Sequence, residues 1–146
     1  MKHEINPQKS NRAEAFRMWM SSPMPMVTLV KTLDISRLVK VSKKSGIKFN
    51  VLMCWCIGKA ANECKSSFLD EHMVIGTSAM IQTELDCIVN QYTDQFCNPM
   101  VMWGKYRKGM FKTTLPVSFQ FHHVQMDGGH AAKFLQRLQN AINKLK

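Results

Sequence analysis

The sequence predicts an α/β fold, a two-layer sandwich in which a mixed β-sheet is covered by helices. Three observations predict it. MVTLVKTLD, from Met26 to Asp34, is rich in the Val, Thr and Leu of a strand, and LPVSFQFHHV, from Leu115 to Val124, alternates apolar with polar residues. The closing HAAKFLQRLQNAINKL sets Ala131, Phe134, Leu135, Leu138, Ile142 and Leu145 along one helical stripe. Helices and strands alternate without a regular βαβ cadence, so the sheet is expected to be mixed rather than parallel.

Taken in order, Asn11 is placed to cap a short helix, RAEAFRMWM, which Ser21-Ser22-Pro23 stops. The strand MVTLVKTLD follows. Asp34 is placed to cap a second helix, ISRLVKVSKK, with apolar Ile35, Leu38, Val39 and Val41 inward, lysines outward, and Gly46 closing it. FNVLMCWCIGKAANEC is apolar on most faces, which suits a helix buried against a sheet. HMVIGTSAMIQTELDCIV reads as strand-rich, QYTDQFCNPM as a loop and MVMWGKY as a strand. LPVSFQFHHV is the strand before the Gly128-Gly129 pair, which allows a tight turn into the last helix. With no repeat, linker or low-complexity run, residues 1–146 read as one domain.

Composition narrows the function classes. A hydrophobic fraction of 45% with 21% charged residues is that of a globular chain, not a fibrous or disordered one. The opening MKHEINPQKSNRAEAF has no apolar signal core and no later run is long enough to span a bilayer, so a cytoplasmic protein without a membrane role is expected. Five cysteines, an odd number, suggest reduced thiols acting as small hydrophobes rather than a disulfide framework. Cys54 and Cys56 are two apart on a helix and cannot share a face, which makes them a poor chelator. The net charge of +10 favours anionic partners, but the lysines fall in separate clusters that match no nucleic-acid motif, so a solvated basic surface is the preferred reading, with attraction of a small phosphorylated ligand second. The twelve methionines are gap-fillers of a core or, where Met18, Met20, Met24 and Met26 cluster, the wall of an apolar ligand pocket.

The stretch FQFHHVQMDGGH, from Phe119 to His130, holds the candidate chemistry. Strand alternation sends Val117, Phe119, Phe121 and His123 one way and Ser118, Gln120 and His122 the other, so the two histidines cannot readily share a metal. His123 is expected on the apolar face, where burial favours the neutral ring that a general base needs. His122, among polar neighbours, has a more structural look. A site of His123, Asp127 and His130 matches no common zinc spacing, and no metal is expected. A histidine that is merely a satisfied core residue stays open at either position.

The run His122-His123-Val124-Gln125-Met126-Asp127-Gly128 fits H-H-x-x-x-D-G, and on it the chain resembles the chloramphenicol acetyltransferase family of CoA-dependent acyltransferases. WGKY, from Trp103, resembles the family's M-G-K-Y; LPVSFQFHH resembles the strand leading into the motif; NRAEAF resembles the R-x-x-x-F near the family's N-terminus. LDIS and FNVLMCWCIGKAANE resemble its strand-helix-helix run, so the likeness extends from about Arg12 to Leu145. The resemblance implies a homotrimer with sites in the clefts between subunits, acetyl-CoA or another acyl-CoA as cofactor, and a small-molecule acceptor. His123 would be the base on the acceptor hydroxyl, Asp127 and Arg12 a supporting pair, and Met24, Met26, Val27, Phe121 and Met102 the substrate-facing residues.

The chain departs from the family between about His72 and Cys87, where it is much shorter. That region of the family carries an oxyanion-stabilising serine in an S-x-x-P-W-like context, whereas this chain has Thr77-Ser78-Ala79 with no Pro-Trp, leaving Ser78 as the candidate. Met102 stands where the family has threonine, and Val27 where an acceptor-contacting tyrosine would imply chloramphenicol itself. Three functions follow: a shortened CoA-dependent O-acyltransferase; a CoA-independent lyase, hydrolase or isomerase using the same histidine; or a non-catalytic trimer that binds an apolar or aromatic molecule.

Overall fold

The computed structural model describes residues 6–10, 12–64, 74–93 and 97–146. A turn of 3-10 helix, Pro7–Lys9, precedes α1 (Ala13–Met20), β1 (Met26–Asp34), α2 (Ser36–Ser45), α3 (Phe49–Cys64), β2 (Gly76–Met80), β3 (Met100–Gly104), β4 (Arg107–Lys108), β5 (Thr113–His122) and α4 (Gly128–Asn143). The sheet runs β1-β5-β3-β2, with β4 also pairing β5. β5 is antiparallel to β1, β3 and β4, while β2 and β3 are parallel, so the sheet is mixed.

Alternation on β5 produces two buried faces of different chemistry. Leu115, Val117, Phe119 and Phe121 point into one core with Leu33 of β1, Leu38 of α2, Met53 and Ile57 of α3, and Phe134, Leu138 and Ile142 of α4. The rings of Phe119 and Phe134 stack with centroids 4.5 Å apart. All six residues of the predicted α4 stripe are buried.

Ser118, Gln120 and His122 face the other way and are also buried, under the segment 85–92. Here hydrogen bonds replace volume. The Ile88 N–H donates to Ser118 Oγ at 2.8 Å, and the Asn90 N–H donates to Gln120 Oε1 at 2.9 Å while Gln120 Nε2 donates back to the Asn90 carbonyl at 3.0 Å. The expectation of a strand-rich 72–89 is thus corrected: among the described residues it holds only β2, because the following segment crosses the sheet face and bonds side chains instead of joining an edge. His72 and Met73 lie outside the described residues.

Helix ends follow the sequence with small shifts. Asp34 Oδ1 accepts from the Ser36 N–H at 3.0 Å and its hydroxyl at 2.7 Å, so the carboxylate caps α2 from one residue before the formal cap, Ile35. Those Ser36 hydrogen bonds hold the Asp34 carboxyl below its ordinary pKa. Gly46 ends α2 with φ +71°, a left-handed conformation suited to glycine. Asn11, expected to cap α1, lies outside the described residues, and Arg12 occupies the cap position without a capping side-chain bond. α3 is less enclosed than its composition suggests: Leu52, Met53, Cys56, Ile57 and Ala60 are buried, but Val51 and Trp55 are exposed because only one side of the helix meets the sheet.

The cysteines divide likewise. Cys56 and Cys64 are buried, Cys54 and Cys87 exposed, Cys97 half-buried, and all five are free thiols. Burial pushes the Cys56 thiol up to about 11. Met18, Met20 and Met24 are exposed, which corrects the reading of that cluster as core: α1 buries no residue fully. No helix of the described residues is long and apolar enough to cross a membrane.

Candidate active site

β5 ends at His122, and the chain turns at once. The His122 carbonyl accepts from the Gln125 N–H at 2.9 Å and the Met126 N–H at 3.3 Å, and Met126 is buried beneath the turn. Asp127 then caps α4, its carboxylate accepting from the His130 N–H at 2.9 Å and lying 3.3 Å from His130 Nδ1. The His130 backbone hydrogen bond is the main cause that holds Asp127 below the ordinary carboxyl pKa; the charges of His130 and Arg12 act in the same direction. Gly128 and Gly129 open the helix without a positive φ, so they do not serve the expected tight turn. Gly129 instead leaves room for the cap: an added Cβ would stand 3.3 Å from Asp127 Oδ1.

The adjacent histidines occupy different surroundings. His122 is buried, accepts from the Val124 N–H at Nδ1 (3.2 Å), and meets the edge of Tyr92 at 5.8 Å. Burial, with the neighbouring His123 a smaller cause, lowers its pKa below the ordinary histidine value. A neutral ring that accepts at Nδ1 carries its proton on Nε2. His122 is thus held as a structural group.

His123 lies beyond the strand, its N–H donating to the Pro25 carbonyl at 3.0 Å. Its ring stacks flat on Trp19 of α1, centroids 4.1 Å apart and planes within 4°. Its Nδ1 is buried without a hydrogen-bond partner among the described residues. His123 was expected on the apolar face of the strand; because β5 ends at His122, its ring instead lies half-buried against α1. Together with Ser10, Arg12, Ala15, Phe16, Trp19 and Val124 it lines a cavity of about 140 Å³. Arg12, Ala15, Phe16 and Trp19 recur at i, i+3, i+4 and i+7, so one face of α1 and its cap forms the wall opposite the histidine. Trp19 was missed in the sequence, although that helical spacing from Arg12 was the signal that could have found it.

The remaining candidates are not brought together. Arg12 reaches the His123 cavity and its charge acts on Asp127, but among the described residues the two form no ion pair. Ser78 pairs across β2 and β3 with Met102, which faces Ser118 on β5. Two strand spacings and five residues thus separate it from His123, roughly 15–20 Å within one chain. Met26 pairs with His122 and Val27 with Phe121, so alternation sends the two to opposite sheet faces. Phe121 is fully buried in the core and Met102 fully buried under the opposite face, while Met24 is exposed. These five residues do not form a common wall within one chain. Among the described residues no three His, Cys, Asp or Glu side chains converge as a metal site would require.

A second cavity was not foreseen as a unit. Lys48, Phe49, Asn50 and Val51 at the start of α3, Ile81 and Glu84 after β2, and Gly104, Lys105, Tyr106 and Lys108 around β3 and β4 enclose about 790 Å³. The Phe49 and Tyr106 rings meet at 5.4 Å, and Trp103 Nε1 donates to Asn50 Oδ1 at 3.4 Å. Arg107 engages Glu84 at 3.4 Å and Asp86 at 2.6 Å, which offsets the acid in the groove and leaves the lysines to set its charge. Gly104 is needed where the 83–85 segment crosses it: an added Cβ would stand 2.8 Å from the Thr83 carbonyl oxygen. Lys48 and Lys105 stand 57 positions apart in sequence; the fold brings them into one cationic groove, beside the N-terminus of α3, suited to phosphate.

The family model for chloramphenicol acetyltransferase (CAT) matches residues 63–139, just over half of the chain, a stretch that includes His123 and Asp127 but not Arg12. Chloramphenicol acetyltransferase 3 of Escherichia coli is 42% identical over 59 residues, 40% of this chain and 27% of that protein. Chloramphenicol acetyltransferase of Campylobacter coli is 41% identical over 46 residues, 32% of this chain and 22% of that protein. The match thus spans about a quarter of the length of these relatives. Among solved structures, a chloramphenicol acetyltransferase superposes with a TM-score of 0.79 at 15% identity, covering 97% of this chain and 98% of that one. A dihydrolipoamide acetyltransferase (E2p) of Azotobacter vinelandii superposes at 0.58 and 15% identity, covering 99% of this chain and 91% of that one. At such identities these two support the fold alone.

Proposed function

Because the chain belongs to the chloramphenicol acetyltransferase family, in a shortened form, we propose that it is an acyltransferase in which His123 is the general base on an acceptor hydroxyl. The observation that carries this reading is the His123 ring itself, clamped on Trp19 at the wall of a cavity with Nδ1 turned inward. Buried Nδ1 leaves Nε2 to receive the acceptor's proton, which requires the tautomer protonated at Nδ1. The Trp19 stack fixes the plane of the ring. Asp127 acts by fixing the turn into α4, and Arg12 supplies a positive charge beside the histidine.

The residues present fit an acyl-CoA. Lys48, Lys105 and Lys108 would hold its phosphates and the Phe49–Tyr106 ring pair its aromatic base. When bound, that cofactor supplies the acyl group as an activated thioester. The groove and His123 stand near opposite ends of the ten-residue β5, and Ser78 is also remote from the histidine. The reading therefore includes a homotrimer in which a neighbouring copy completes each site, with a small hydroxyl compound as acceptor and a cytoplasmic setting.

Calorimetric titration of CoA and acetyl-CoA into the protein and a Lys48→Gln/Lys105→Gln variant, with mass measured by light scattering, tests this. Saturable binding by a trimer, weakened in the variant, supports it. Absence of binding by a folded trimer would remove acyl-CoA and leave CoA-independent chemistry at His123.

A further inference from the structure

The β4–β5 hairpin turns through Lys108-Gly109-Met110-Phe111-Lys112. The Gly109 N–H donates to the Lys112 carbonyl at 2.8 Å, and an added Cβ on Gly109 would stand 2.9 Å from that oxygen, so the closure is tight. At its tip Met110 and Phe111 are each 90% exposed. Alternatives within the fold do not cover them, because the β4–β5 pairs at Arg107–Thr114 and Lys108–Thr113 hold the hairpin's base and direct its tip away from the core.

The charge around the tip is cationic in balance. Lys105, Lys108 and Lys112 are exposed around its base. Glu84 and Asp86 are engaged by Arg107, and Asp34 with Lys112 at 3.7 Å, which leaves Lys105 and Lys108 as the main cationic groups at the base. An apolar pair on a narrow convex tip, collared by ammonium groups on flexible stems, complements an anionic bilayer. The two apolar side chains reach the acyl boundary while the lysines stay among the headgroups. We infer that the hairpin 108–112 docks this protein on an anionic membrane surface through Met110 and Phe111, beside the groove whose Lys105 and Lys108 the acyltransferase reading gives to phosphate.

Co-sedimentation with vesicles of phosphatidylcholine alone and of a phosphatidylcholine–phosphatidylserine mixture tests the inference. The wild type is expected to bind the mixed vesicles and not the neutral ones, less as salt rises. Met110→Ser/Phe111→Ser should weaken binding at least about tenfold, and Lys108→Gln about fivefold. Equal thermal melting of these variants and the wild type checks that the fold is kept. Equal binding by the wild type and the double serine variant would overturn the inference in favour of diffuse attraction by net charge. No binding to either vesicle would overturn it too, as would a fall in the solution mass of the double variant, since the tip would then be covered by a second copy.

Discussion

The two faces of β5 are both buried, yet they are held by different physics. On one, Val117, Phe119 and Phe121 pack against α3 and α4 with no polar atom to satisfy. On the other, Ser118 and Gln120 serve as the hydrogen-bond partners of a segment 30 residues earlier. The contrast continues past the strand end: His122 is fixed under Tyr92 on the polar face, whereas His123 leaves the strand and is presented to a cavity. Burial alone therefore does not distinguish the two histidines. What separates the pair is which side of the strand end each occupies, and whether its ring faces protein or open space.

The largest effect should separate the histidines. His123→Ala is expected to lower kcat for acyl transfer by about 10²–10⁴-fold, while far-ultraviolet circular dichroism stays unchanged; an active His123→Ala enzyme would mean that presentation to the cavity is not catalytic. Phe119→Ala should cost about 3–5 kcal/mol in urea unfolding by opening a cavity against Phe134. Ser118→Ala on the opposite face should cost less, about 1–3 kcal/mol, from the unsatisfied Ile88 N–H. An equal cost for both would erase the distinction between the faces.

Lys48→Gln and Lys105→Gln should each raise the KM for an acyl-CoA donor about tenfold with kcat held, if they grip phosphate as charge-assisted donors. The smallest effect concerns pH. His122 has a folded pKa below its unfolded value near 6.5, so its stabilisation is complete above that value and is lost as pH falls toward the folded pKa. Urea midpoints measured between about pH 7 and 5 should fall less steeply in His122→Gln than in the wild type; parallel slopes would show that His122 is not held neutral.

Most of the fold was legible because its signals are local. The 3.6-residue stripe of α4, the alternation of β5 and the glycine stop of α2 each report on residues within a few positions. The segment after β2 was misread as strand because its composition suits one, while its partners are side chains on a strand reached only after folding. In the candidate site, the motif from His122 to Asp127 marks the turn between β5 and α4. Arg12 was expected to pair with Asp127; in the fold its charge acts on a carboxylate that also caps α4.

From the order of its residues alone, the chain determined a mixed sheet with helices packed against it and a candidate base two residues beyond Phe121. Periodicity and motif spacing act over distances the chain itself sets. Only the tertiary structure decided that Trp19 clamps His123 and that Lys48 joins Lys105 and Lys108. It alone also set Ser78 apart from the histidine within one chain. Such contacts join residues far apart in sequence, and strand register and packing, rather than local preference, fix which of them meet.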